Sequence, residues 1–299
     1  MSDKLTNSID HLWRTLVIGV PYLWLTIFFL TPIAFVFKIS LSDPIIGQPP
    51  FTPLLELAEN ATLSFQGTLD NYRFLFEDDL YWVSYLNSVK VAAISTIICL
   101  LIGYPMGYGI ACAKGGIRGL LLLLGILPFW TSFLLRVYAW MGMLSTHGVI
   151  NSFLINIGLI NQPLKLLYTD LAVYIGIVYT YLPFMILPLY ANLERLDVTL
   201  NEAAADLGSR PLRTFIDITL PMSLPGIVAG SLLVFIPALG EFVIPALLGG
   251  LDSLMIGRTL YDEFFQNRDW PLASAVATVL LLILVIPIMI FQKYRSEQV

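Results

Sequence analysis

The chain has 299 residues, of which 57% are hydrophobic and 12% charged, with a net charge of −5. Its mean hydropathy is +0.80. An ordinary soluble domain carries roughly 25% charged residues, so the composition excludes a soluble enzyme and points to an all-α integral membrane protein; the acidic balance offers no surface for nucleic acid.

The charges are spaced to leave long gaps. Between Arg14 and Lys38, Lys90 and Lys114, Asp170 and Glu194, Asp217 and Glu241, and Asp269 and Lys293 lie 23 residues each without Lys, Arg, Asp or Glu. A helix needs about 20 residues to cross the hydrocarbon core. A sixth apolar run, 119–143, is interrupted only by Arg136. The expected spans are therefore about 15–38, 88–113, 119–143, 171–192, 223–247 and 271–292, six transmembrane helices in a single domain covering 1–299. The first run is longer than the roughly 7–15 apolar residues of a cleaved signal peptide and is expected to stay as an anchor.

With the amino terminus inside, Lys4, Arg14, Lys114, Arg118, Arg195, Arg210, Arg213, Lys293 and Arg295 face the cytoplasm, against Arg73, Lys165, Arg258 and Arg268 outside. The positive-inside rule thus predicts that both termini are cytoplasmic. The outer segment 42–84 carries Asp43, Glu56, Glu59, Asp70, Glu77, Asp78 and Asp79 against Arg73. Such a surface concentrates cations or steers a partner within about a Debye length; a merely solvated loop fits equally.

In the second span, Gly103-x-x-x-Gly107 offers a small face for close helix contact, with Pro105 as the source of an alternative kink. Cys99 and Cys112 stand about 20 Å apart along that helix, beyond disulfide reach, and His11 and His147 form no metal or nucleophile cluster with them. Arg136 lies about 27 Å along a straight helix from Arg118. That places it near the outer interface beside Tyr138 and Trp140, as a snorkelling anchor or as a partner for Glu241. The outer segment 145–169 has Val149, Phe153, Ile157 and Ile160 at near-helical spacing, which predicts a short interfacial helix.

Between the fourth and fifth spans, 195–221 is polar. Thr199 and Glu202 have the spacing of a capping box, Gly208 suits a left-handed helix end, and Ser209 with Pro211 opens a second helix limited by Pro221. In the fifth span, Glu241 lies between Pro237 and Pro245 beside Gly240. These residues should kink or interrupt the helix, so that an intramembrane carboxylate lines a cavity. The last outer segment, 249–269, sets Tyr261, Phe264, Phe265 and Trp270 among Asp252, Asp262 and Glu263. An alkylammonium ligand prefers such a setting, and an aromatic interface anchor is the plainer alternative. No phosphate-binding P-loop occurs, so the chain cannot hydrolyse ATP in that manner.

Glu202-Ala203-Ala204, Gly208, Ile218, Leu220 and Pro221 fit the pattern EAA-x3-G-x9-I-x-LP throughout. This resembles the EAA loop of bacterial ABC importer permeases. The segments 127–142, 172–190, 240–250 and 255–277 resemble the polyamine (putrescine/spermidine) branch of those inner-membrane permeases, putrescine permeases most nearly. The resemblance implies a type I ABC importer permease fold, multi-pass in the bacterial inner membrane among its lipids. It also implies alternating-access translocation of polyamines, with residues 202–204, 208, 218, 220 and 221 coupling to an ATPase. The implied partners are a second permease, usually a different chain, two copies of a cytoplasmic ABC ATPase that uses ATP and Mg, and a periplasmic polyamine-binding protein. This chain itself would hold no catalytic residue, metal or cofactor. For a dication, Glu241, Trp130, Tyr179 and Tyr181 are the candidate path residues, although the three aromatics fit helix packing as well. A permease for another small solute, such as an amino acid, sulfate or iron, shares the loop. A secondary transporter would leave the loop without a purpose and would be expected to show internal repeats.

Overall fold

The computed structural model describes residues 16–57, 63–65, 67–250 and 253–296. Lys4, His11, Arg14, Glu59 and Asp252 lie outside the described residues. The chain divides into two compact units, 1–78 with 262–282, and 79–261 with 283–299.

In the first unit, helix α1 (Leu16–Ser40) is apolar on every side and none of its most apolar stretch is buried within the chain. A helix that is apolar all round belongs in an apolar surrounding. Its end is closed by a side chain from α2 (Asp70–Glu77). Asn71 Nδ2 donates to the Ser40 and Ser42 carbonyls at 3.0 and 2.8 Å, satisfying acceptors that a helix terminus leaves open. Between them β1 (Leu55–Leu57) pairs antiparallel with β2 (Leu63–Phe65), Leu55 opposite Phe65. This short ribbon is absent from the all-helical expectation.

The core of the second unit is a three-helix cluster, α3 (Asp79–Cys112), α7 (Asp170–Leu193) and a later helix, α10 (Leu224–Leu239), each packed on the other two. In an apolar solvent close packing replaces the hydrophobic drive, and small residues allow it. A Cβ on Gly103 would stand 2.9 Å from Met185 Cγ, and one on Gly230 2.8 Å from Met185 Sδ, so three backbones converge on one thioether.

Among the described residues, four helices are long and apolar enough to cross a membrane: Leu16–Ser40, Asp79–Cys112, Asp170–Leu193 and Trp270–Met289. The other two expected spans are not straight. The 119–143 run is built from α4 (Gly116–Ile126), a 3-10 turn (Leu127–Trp130), extended Thr131 and Ser132, and α5 (Phe133–Leu144). The segments before and after this break are bent by 90°. Pro128 lies in the 3-10 turn; its carbonyl accepts from both the Thr131 N–H at 3.4 Å and Thr131 Oγ1 at 2.9 Å. Helix α6 (Val149–Asn156) follows, in the segment where a short interfacial helix is expected. The 223–247 run is likewise divided: α10 has 16 residues, Gly240 to Phe242 leave the helix, and α11 (Val243–Leu248) resumes it. Helices α8 (Val198–Asp206) and α9 (Pro211–Met222) form the polar loop before α10. Helices α12 (Ile256–Phe265) and α13 (Trp270–Ser296) complete the described chain.

Candidate coupling loop and buried carboxylate

The polar loop is a helical hairpin. Its first helix is capped by Asp197, whose carboxylate accepts from the Thr199 backbone N–H at 2.9 Å. The expected Thr199–Glu202 capping box does not form, because α8 starts at Val198 and Thr199 already lies inside it. Asp and Thr serve nearly equally at that position, so the point where the chain leaves α7 decides between them. The backbone hydrogen bond from Thr199 holds the Asp197 carboxyl below its ordinary range. A depressed carboxyl stabilises above the unfolded value, about 3.9, and loses its contribution as pH falls through the folded one. Amide exchange should therefore find Thr199 protected below that value and opening on further acidification. Asp197→Asn should keep the cap and lose the pH dependence.

Gly208, at φ +79°, reverses the chain. Ser209 N–H donates to Ala204 O and Gly208 N–H to Ala205 O, both at 2.9 Å, the paired closure of a left-handed helix end. Pro211 then occupies the first turn of α9, where a missing N–H costs nothing. Of the residues matching the loop pattern, Glu202, Ala203, Gly208 and Pro221 are exposed, Ile218 and Leu220 half-buried, and Ala204 buried. The loop also carries an apolar surface that the motif does not include: Leu207 is 89% exposed, Leu212 72% and Ile216 51%. Leucines beside a predicted turn were the available signal.

At the other end of α9, the Phe215–Thr219 stretch winds as a π-helix, and the chain bends by 63° into α10 at Ser223. The Tyr104 hydroxyl of α3 lies 2.9 Å from Ser223 Oγ. Tyr104 and Tyr108 meet the Phe215 ring edge-on at 5.6 and 5.9 Å. Nearby, Arg118 donates to the Ala111 and Ala113 carbonyls and to Glu194 Oε1 at 2.7 Å, tying the end of α3 to the end of α7. The pair is more than one-third exposed on its Glu194 side, so its value is that of a surface ion pair.

The carboxylate in the fifth span sits at the helix break. Glu241 is 7% exposed. Its Oε1 accepts from the backbone N–H groups of Val243 and Ile244 at 3.0 and 3.3 Å, and its Oε2 from the Tyr181 hydroxyl at 2.5 Å. Glu241 thus caps α11 while Tyr181 ties that cap to α7. Of the sequence-derived path residues, the structure brings together only these two. Tyr179 packs edge-on against Trp140 at 5.5 Å. Trp130 is 77% exposed and takes no part in the Tyr181–Glu241 contact.

Arg136 is 8% exposed, not a snorkelling residue. Its Nε and Nη1 are buried without a hydrogen-bond partner, and its guanidinium carbon stands 5.8 Å from the centre of the Phe129 ring. The bend after Trp130 removes the straight-helix distance on which an interfacial position depended. Two aromatic faces in 249–269 are covered: Phe264 stacks on Trp270 at 4.9 Å and Tyr261 on Phe242 at 5.0 Å. A cavity of 610 Å³ beside Phe264 and Trp270 is lined by Arg268, a cation, which disfavours an alkylammonium there. Among the described residues, no group of three or more His, Cys, Asp or Glu is placed to hold a metal ion.

Comparison with known proteins adds the lineage. The family model described as binding-protein-dependent transport system inner membrane component matches residues 5–297. The chain is 38% identical over 290 residues to the spermidine/putrescine transport system permease protein PotB of Haemophilus influenzae, covering 97% of this chain and 96% of that one. It is 43% identical over 226 residues to PotB of Escherichia coli K12, covering 76% of this chain and 82% of that one. A chain of the bacterial alginate ABC transporter, solved in complex with its alginate-bound periplasmic protein, has the same fold, with a TM-score of 0.71, 16% identity and coverage of 96% of this chain and 95% of that one.

Proposed function

Since the chain belongs to the binding-protein-dependent transport system inner membrane components, we propose that it translocates polyamines, with a diamine of the putrescine type as its solute. Membership makes it a permease subunit of an ABC importer in the inner membrane. It is not itself an enzyme, and its work requires a second permease, an ATPase and a solute-binding protein. The observation that carries the solute class is the 38% identity to a spermidine/putrescine permease across 97% of the chain. In this reading the second permease is a different chain, two ATPase copies using ATP and Mg sit beneath the pair, and the binding protein is periplasmic and polyamine-specific. In the same reading both termini and 195–221 lie in the cytoplasm, which the excess of Lys and Arg on that side supports.

The loop supports the mechanical part of the proposal. Exposed Leu207 and Leu212 flank a rigid reversal at Gly208, and a small apolar patch with a polar rim suits a protein partner. ATPase closure displaces this hairpin, and the displacement turns the path between outward and inward access. Glu241 and Tyr181 stand at the helix break as the polar contact for a passing ammonium group, with Trp130 and Tyr179 as aromatic surfaces further along.

The experiment is radiolabelled putrescine uptake in cells lacking their own polyamine importers, with the neighbouring transporter genes present and this chain supplied or withheld. Uptake that depends on the chain and is blocked by excess unlabelled putrescine is the expected result. An assembled importer with a working ATPase and no such uptake would refute the polyamine assignment and reopen amino acid, sulfate or iron as solutes.

A further inference from the structure

Ser223, at the 63° bend between α9 and α10, is fully buried. Its hydroxyl donates to the Leu220 carbonyl at 2.8 Å. The single Ser223 proton is thereby committed, so in the 2.9 Å contact with Tyr104 the tyrosine is the donor. Tyr104 is itself 8% exposed and belongs to a helix that ends far earlier in the chain. One turn further along α3, Tyr108 joins Tyr104 in enclosing Phe215, the rings standing at 86° and 89° to it. Phe215 opens the π-helical stretch Phe215–Thr219, a local winding that concentrates at functional sites. A ring interlock on α9 and a hydrogen bond at the residue that ends it therefore join this element to α3.

We propose that Tyr104, Ser223 and Phe215 form the joint that delivers displacement of the coupling loop to α3, which makes Tyr104 a positioning residue for transport. The inference rests on the reading of 195–221 as the ATPase-coupling loop. A shift of α9 must carry α3 with it or break a buried bond, stranding a donor and an acceptor away from water. The two ring edges oppose sliding in the remaining directions. Helix α3 packs on α7 and α10; α7 holds Tyr181 and α10 leads into Glu241, so motion entering at Tyr104 reaches the carboxylate through packed helices.

The test uses the whole importer in liposomes, with ATP hydrolysed and putrescine imported measured together. Tyr104→Phe keeps the ring and deletes the donor. Hydrolysis should stay within about twofold while uptake falls about fivefold, the factor equivalent to about 1 kcal/mol, so more ATP is spent per solute. Ser223→Ala should do the same, Ser223→Thr should restore the ratio, and the double variant should be no worse than either single one. A bond that only stabilises the fold predicts fewer assembled importers at an unchanged ratio, and that result overturns the proposal. Glu202→Lys run in parallel separates the two readings. If it leaves uptake intact, the coupling assignment fails and the joint with it; if it uncouples while Tyr104→Phe keeps the normal ratio, the joint alone fails.

Discussion

Glu202→Lys lowers uptake by about 5- to 150-fold, the range set by a coupling free energy of about 1–3 kcal/mol between two sites, while the chain still folds and inserts. The separation is expected because Glu202 is exposed on α8 and stabilises none of the helix's termini. Asp197 caps the start of that helix and Gly208 closes its end, so a lysine in between changes the surface and not the hairpin. The reversed charge falls on the same short loop as the exposed Leu207 and Leu212. Uptake, membrane abundance and ATPase activity should be read together. Normal uptake at normal abundance would count against the loop as the docking element.

Glu241 offers a sharper division between structure and transport. Glu241→Ala leaves the Tyr181 hydroxyl and two backbone N–H groups without their acceptor. Each buried orphan costs about 1–3 kcal/mol, so this variant should lose about 3 kcal/mol or more and fail to accumulate. Glu241→Gln keeps an oxygen acceptor for Val243 and Ile244 and reverses the Tyr181 contact, the amide N–H donating to the hydroxyl, so it should lose far less stability than the alanine variant and still accumulate. The charge and the acceptor for the Tyr181 proton are lost. Uptake of a dication should then fall about tenfold, for the loss of one charge-assisted hydrogen bond of about 1.5 kcal/mol. If Glu241→Gln transports at the parent rate, the carboxylate serves only to cap α11.

These residues also mark what the sequence discloses. Gly208 was readable because a left-handed backbone position has a strong residue preference. The spans at α3 and α7 were readable because long apolar stretches between charges leave little else for a chain to do. The 119–143 stretch misled because apolarity counts residues and not direction; once the chain turns by 90°, a length along the helix no longer gives a depth, and Arg136 is packed within the chain. The path residues failed in a different way. Tyr179 and Tyr181 are two apart on a helix, and such neighbours face different sides, so one carboxylate could engage only one of them. Spacing alone contained that limit; which tyrosine Glu241 takes depends on packing. The Tyr104–Ser223 contact has no local signature, since its partners come from different helices far apart in the chain.

Helix α1 leads in another direction. With none of its most apolar stretch covered by the chain itself, exchanging one apolar residue for another there changes few internal contacts, whereas Met185, at the convergence of three helices, is fully buried. Mutational tolerance is therefore unevenly divided. In a saturation scan of the isolated chain's stability, positions along α1 should accept most apolar residues, while Gly103, Met185 and Gly230 should accept almost none. Any stricter requirement on α1 that a transport scan reveals would measure what its surroundings in the assembled importer demand of it.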